Sequence, residues 1–180
     1  MVDSSDSEFI RRLKDPDGWR LSSQSLLLAA RILHNVAEES MRLLTSNCNG
    51  KAQPITQIEQ LTPLVHQQAY LLYGLSCENL IKACIVKKSQ GKEPTLNRSG
   101  QIVWPCGGDG HALVALFDCL GVVCQGLDRK TMEILTHWVR WQGRYPVPRR
   151  DRGCVTERWF LPQQAIEQLY SHLCGVLETL

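Results

Sequence analysis

The chain has 180 residues, 43% of them apolar, and a formal net charge of +2. That is enough for one domain with a real core, and too little charge to argue for an acidic or basic partner except through local clustering. The N-terminus, MVDSSDSEF, is polar and acidic with neither a basic stretch nor an apolar one, so no secretory signal is expected and a soluble, cytoplasmic protein is. The eight cysteines, with Cys77, Cys84, Cys119 and Cys174 in apolar helical contexts, then read as reduced core residues and not as a disulfide framework.

Residues 1–18 form a polar lead. Phe9, Ile10 and Leu13 give it one apolar side, and Asp15-Pro16-Asp17-Gly18 is a turn signal that stops it. Residues 19–180 then make one domain. The first main helix spans about Ser22 to Leu44, with Ser22 or Ser23 as its cap. Its apolar residues Leu26, Leu27, Ala30, Leu33, Val36, Ala37, Met41 and Leu44 recur at helical spacing. The second begins near Thr56 or Thr62, with Pro63 in its first turn in the latter case. It runs to about Lys88, on the order of 40–45 Å.

Within that helix, Ala69–Val86 is apolar on nearly every side, which marks a buried helix. It nevertheless carries Glu78 and Lys82, four residues apart on one face with the acid N-terminal, the favourable order. Leu71, Leu75 and Ile85 fall near that face, so the sequence predicts a buried ion pair, which is costly unless well satisfied. The same charges argue against a membrane span, at roughly 2.5–3.5 kcal/mol each.

Residues 89–108 are rich in Gly, Pro, Ser and Asn and form the one long connection, with Ile102-Val103-Trp104 as its only apolar piece. A third helix starts at Asp109 or Gly110 and carries Leu113, Leu116, Phe117 and Leu120. His111 lies at its start, where the helix dipole favours a neutral imidazole able to act as a base or a donor. A fourth helix, capped by Asp128, carries Met132, Leu135, Trp138 and Val139 and ends at Gly143 and Pro146. The last helix spans about Pro162–Leu177. No alternating segment is long enough for a central strand, so the expected fold is all-α: a single up-and-down bundle of about five main helices plus a short N-terminal one.

The densest chemical feature is Trp138 to Trp159. Arginines stand at 140, 144, 149, 150, 152 and 158 without a lysine, interleaved with Trp138, Trp141, Tyr145 and Trp159. Arginine forks grip phosphates and flat aromatics stack on bases. Arg140, Arg144, Tyr145, Arg149, Arg150 and Arg152 are therefore the candidate nucleic-acid or nucleotide contacts. The alternative is that the arginines pair with acids elsewhere and the tryptophans are core. No metal-ligand spacing, phosphate-cradling loop or nucleophile elbow is present, and no cofactor is implied.

Three stretches taken together, YGLSCENLIKACIV, Gly110-His111-Ala112-Leu113 and Trp141-Gln-Gly-Arg-Tyr-Pro-Val-Pro, resemble the HEPN superfamily over roughly residues 60–150. They are most similar to its bacterial members with a LENLLKA…GHDL…GRYP pattern, although Ala112 stands where those carry an acid. The resemblance implies an all-α, often dimeric protein tied to RNA, in a bacterial defence or toxin–antitoxin setting, with a protein partner from the same operon as a further expectation. The nuclease signature of that family, an arginine followed four to six residues later by a histidine on a late helix, is absent. A non-catalytic binding module is therefore expected. The alternatives are a ribonuclease with a displaced site built from Glu78, Lys82, His111, Arg140 and Arg144, and a purely structural or regulatory partner. Glu78 is further expected to orient Arg140 or Arg144.

Overall fold

The structure, a computed structural model, describes residues 4–47, 57–89, 93–107, 110–123, 126–142 and 161–180. A short helix α1 (Ser4–Leu13) leads into two long ones, α2 (Pro16–Asn47) and α3 (Gln57–Lys88). A two-residue antiparallel ribbon, β1 (Thr95–Leu96) with β2 (Ile102–Val103), pairs Thr95 with Val103 and Leu96 with Ile102. Three further helices follow: α4 (Leu113–Asp118), α5 (Leu127–His137), which widens into a π turn over Trp138–Gln142, and α6 (Gln163–Thr179). The protein is an all-α helical bundle.

Helix α3 is its axis. It is 32 residues long, about 48 Å, and packs against α2, α4, α5, the π turn and α6. Its residues from Ala69 to Val86 are almost all buried, as an apolar circumference requires. Its stretch Leu61–Lys88 has the length and hydropathy of a membrane span, but the bundle buries 72% of its apolar window. Helix α2 lies antiparallel along it. Ser23 reaches the Ser76 carbonyl at 2.8 Å near one end, and the rings of His34 and His66 are 5.1 Å apart towards the other.

Close approach is needed where α3 meets α5. A Cβ on Gly74 would lie 2.5 Å from Cγ2 of Val139 and 3.2 Å from the Leu135 carbonyl. Only glycine admits the π turn at that distance. At the far end of α3, Lys87 donates to the Leu177 carbonyl of α6 at 2.8 Å, and Lys88 donates to the Leu120 carbonyl just after α4. Both lysines thus satisfy carbonyls at the ends of neighbouring helices.

Several sequence expectations are corrected. Helix α2 starts at Pro16, with Oδ1 of Asp15 accepting the Asp17 N–H at 3.0 Å, so the turn signal is a helix start. Ser23, expected as a cap, is fully buried and joins Ser76 and Tyr170 in a hydroxyl cluster. Val36 and Met41 are exposed and not core, since α2 outruns the surface that covers it. Pro63 lies inside α3 rather than in its first turn. Helix α4 starts only at Leu113, leaving His111 in the connection before it. Asp128 sits in the first turn of α5 but bonds Nδ1 of His172 at 2.6 Å, and Gly126 occupies the cap position. Cys77 and Cys84 are buried and Cys174 is half-buried, whereas Cys119 is exposed. Gly143 and Pro146, the expected stop of the fourth helix, lie outside the described residues.

Candidate functional site

The site is built on the middle of α3. One turn separates Glu78 from Lys82, and Nζ of Lys82 donates to Oε1 of Glu78 at 2.6 Å, with both side chains under a tenth exposed. The expected buried pair is present, and it is satisfied from outside the helix. Nδ1 of His111 lies 3.1 Å from Oε2 of Glu78, so each carboxylate oxygen has its own cationic or N–H partner. When the ring is neutral, Nδ1–H donates and the lone pair falls on Nε2. His111 is one-third exposed.

Two tryptophans close over the lysine. Nζ of Lys82 stands 4.9 Å from the ring centre of Trp104 and 5.4 Å from that of Trp19. The two rings meet edge to face, with centres 5.6 Å apart. Trp19 comes from the first turn of α2, where its Nε1–H donates to the Leu13 carbonyl at 3.0 Å and so ties α1 to α2. Trp104 follows β2 and is buried, so the single apolar piece of the long connection is what docks it. A desolvated cation over an aromatic face contributes about 2 kcal/mol, and two faces offset much of the cost of burying the ammonium.

Local backbone geometry brings His111 to this cluster. Gly110 adopts a φ of 71°, and a Cβ there would lie 2.7–2.8 Å from the indole of Trp104. The glycine is needed twice, for the left-handed turn and for the flat approach to the ring. The Leu113 N–H is then taken by Oγ1 of Thr136 at 3.1 Å, which anchors the start of α4 to the last turn of α5. Beside it, burial and a hydrogen bond to Cys119 push the Cys106 thiol up to about 11, away from thiolate chemistry.

Of the four catalytic candidates, the structure brings Glu78, Lys82 and His111 together. Arg144 lies outside the described residues, as do Tyr145, Arg149, Arg150 and Arg152. Arg140 belongs to the π turn and is half-buried. Among the described residues, the partners of the two Glu78 oxygens are Lys82 and His111; the Arg144 that Glu78 is also expected to orient lies outside them. Nothing in the spacing of residues 19, 82 and 104 marks the two tryptophans as parts of this site in the sequence.

A second polar cluster fills the other half of the α2–α3 interface. His34, buried, has Nε2 at 3.2 Å from Oε1 of Glu38, and its ring faces His66, Tyr70 and Tyr73. Tyr70 stacks on Trp138 at 5.3 Å and donates to the Leu161 carbonyl at 3.0 Å. Burial, with the charge of His34 adding to it, holds His66 below the ordinary imidazole range. Burial alone does the same to His137. Among the described residues no group of three His, Cys, Asp or Glu side chains is placed to hold a metal ion.

No protein-family model, no curated protein and no solved structure matches the chain.

Proposed function

We propose that the chain is a non-catalytic, HEPN-like binding module of the bacterial cytoplasm that engages RNA or a nucleotide through its arginine- and aromatic-rich segment 138–159. The observation that carries this reading is the composition of that segment: six arginines, no lysine and four interleaved aromatic rings. Its start supports the reading. Trp138 stacks on Tyr70, and Val139 lies against Gly74, so the arginines issue from a fixed point on the bundle. Arg140 follows by about one turn the Thr136 that holds the chain next to His111. The core supports the non-catalytic part, because Lys82 is committed to Glu78 and two indoles. The test is binding of a labelled RNA oligonucleotide across a salt series. Arg144→Ala with Arg149→Ala should weaken binding and flatten its salt dependence. Absence of wild-type binding at low salt would overturn the reading.

A second reading is favoured by one specific observation, the Glu78–His111 hydrogen bond. A histidine held through Nδ1 by a carboxylate presents Nε2 as a base. A ribonuclease using it would cleave RNA in the presence of a chelator and lose that cleavage in His111→Ala. No cleavage by the wild type would overturn this second reading.

A further inference from the structure

Two cysteines thirteen positions apart in the sequence meet beside the candidate site. Cys106 stands in the turn after Trp104, which the Gly107 N–H closes by donating to the Trp104 carbonyl at 2.9 Å. Cys119 stands just past the last residue of α4, where the Leu120 N–H donates to the Phe117 carbonyl at 2.8 Å. The two thiols are hydrogen-bonded to each other. Cys106 is half-buried and Cys119 is exposed.

The core cysteines are of a different kind. Cys77 and Cys84 are buried, and burial pushes both thiols up to about 12. Such thiols are inert. Cys119 is the exposed thiol among the described cysteines, and a second thiol stands against it, the arrangement of a reactive cysteine with a resolving partner. A disulfide needs its sulfurs about 2.05 Å apart. From hydrogen-bond contact that takes side-chain rotation and a small backbone shift. Both cysteines lie in turns, outside any helix or strand, so the shift breaks no ladder.

We propose that Cys106 and Cys119 form a reversible, hydroperoxide-driven disulfide that clasps the connection carrying Trp104 and His111 to the end of α4. The Cys119 sulfur attacks a peroxide oxygen. An S–O bond forms, the O–O bond breaks, and the thiol proton leaves with the other oxygen as water or an alcohol. The Cys106 sulfur then attacks the sulfenic acid so formed. The S–S bond forms, the S–O bond breaks, and the Cys106 proton leaves with the hydroxyl as water. The two thiols together lose two electrons and the peroxide gains them. A dithiol reverses the bond by exchange. Burial and the bond to Cys119 hold the proton on Cys106, which makes it a poor target for peroxide by itself and fixes this order. The disulfide closes a ring of fourteen residues that contains Gly110 and His111. It therefore restrains the stretch that sets His111 on Glu78. The clasp is independent of the RNA-binding reading.

The test is peptide mapping of the full chain, treated with hydrogen peroxide and then alkylated. Chymotryptic cleavage after Phe117 and Leu120 separates Cys119 from both Cys106 and Cys124. The expected product is a Cys106–Cys119 cross-link that dithiothreitol reverses. Cys106→Ser should carry Cys119 on to the sulfinic acid, and Cys119→Ser should leave Cys106 reduced. The oxidised wild type should unfold about 5–10 °C above the reduced one, as a ring of this size implies, and neither serine variant should show that shift. Thiols that stay reduced under peroxide, a cross-link from Cys119 to Cys124 or to a second chain, or a Cys106–Cys119 bond that leaves the midpoint unchanged would each overturn the proposal.

Discussion

His111 places Nδ1 3.1 Å from Oε2 of Glu78, thirty-three residues earlier in the chain. This contact, with the Lys82–Glu78 pair beneath it, joins the connection before α4 to the axis of the bundle. Its energetic content is testable. Glu78→Ala leaves a buried ammonium without its carboxylate and should cost about 3–5 kcal/mol, read from denaturant unfolding. Adding Lys82→Met should recover most of that loss, since the uncompensated charge leaves with the lysine. A Glu78→Ala variant of wild-type stability would mean that the pair is not buried in solution.

The indole of Trp104 is the lid of the lysine. Trp104→Ala removes a buried ring and one of two cation–π faces, and should destabilise by about 3–5 kcal/mol. Gly110→Ala should imitate part of that effect, because its Cβ would press on the same ring from a backbone at φ 71°. Near-ultraviolet circular dichroism would report both, through the packing of Trp19 against Trp104.

The approach of α3 to α5 predicts an over-packing phenotype. Gly74→Ala brings its methyl group within 2.5 Å of Val139 and should cost about 1–3 kcal/mol despite the better helix propensity of alanine. Val139→Ala in the same chain should relieve the clash, so the double variant should be more stable than the two single losses added together. Strictly additive losses would contradict the contact.

Acid should weaken the fold through its buried imidazoles. Burial holds His137 and His66 below the ordinary value in the folded chain. As pH falls through about 6.5, the unfolded chain therefore takes up these protons before the folded one does. Their contribution is complete above that pH and is lost as pH falls through the depressed folded values. His137→Leu should consequently lose less of its stability than the wild type between about pH 7 and pH 5, measured as the shift in urea midpoint. Below that window the Arg31–Glu167 pair adds to the loss, because the Arg31 hydrogen bond holds the Glu167 carboxyl below its usual range.

Much of this arrangement is legible along the chain. The main helices other than α3 follow from apolar residues three and four apart, because a helix face is a local property of spacing, and α3 follows from its long, nearly all-apolar run. The buried Glu78–Lys82 pair follows for the same reason, as both groups sit on one helix with one turn between them. His111 was legible as a notable residue, but not as the partner of Glu78. At the start of α2 a Pro-Asp-Gly run signals a turn and a helix N-terminus equally well, and only the Asp15 cap decides between them.

The sequence by itself determined a helical bundle, an axis helix with an ion pair in it, and an arginine-rich segment at the end of α5. The tertiary structure alone decided what surrounds that pair. Trp19, Trp104 and His111 reach it from three separate stretches of chain, and no periodicity relates them. Their meeting depends on how α2, the ribbon and the Gly110 turn pack on α3. The same holds for α2, where only packing against α3 decides that Leu27, Ala30 and Ala37 are core while Leu21, Leu28, Ile32, Val36 and Leu43 stay exposed.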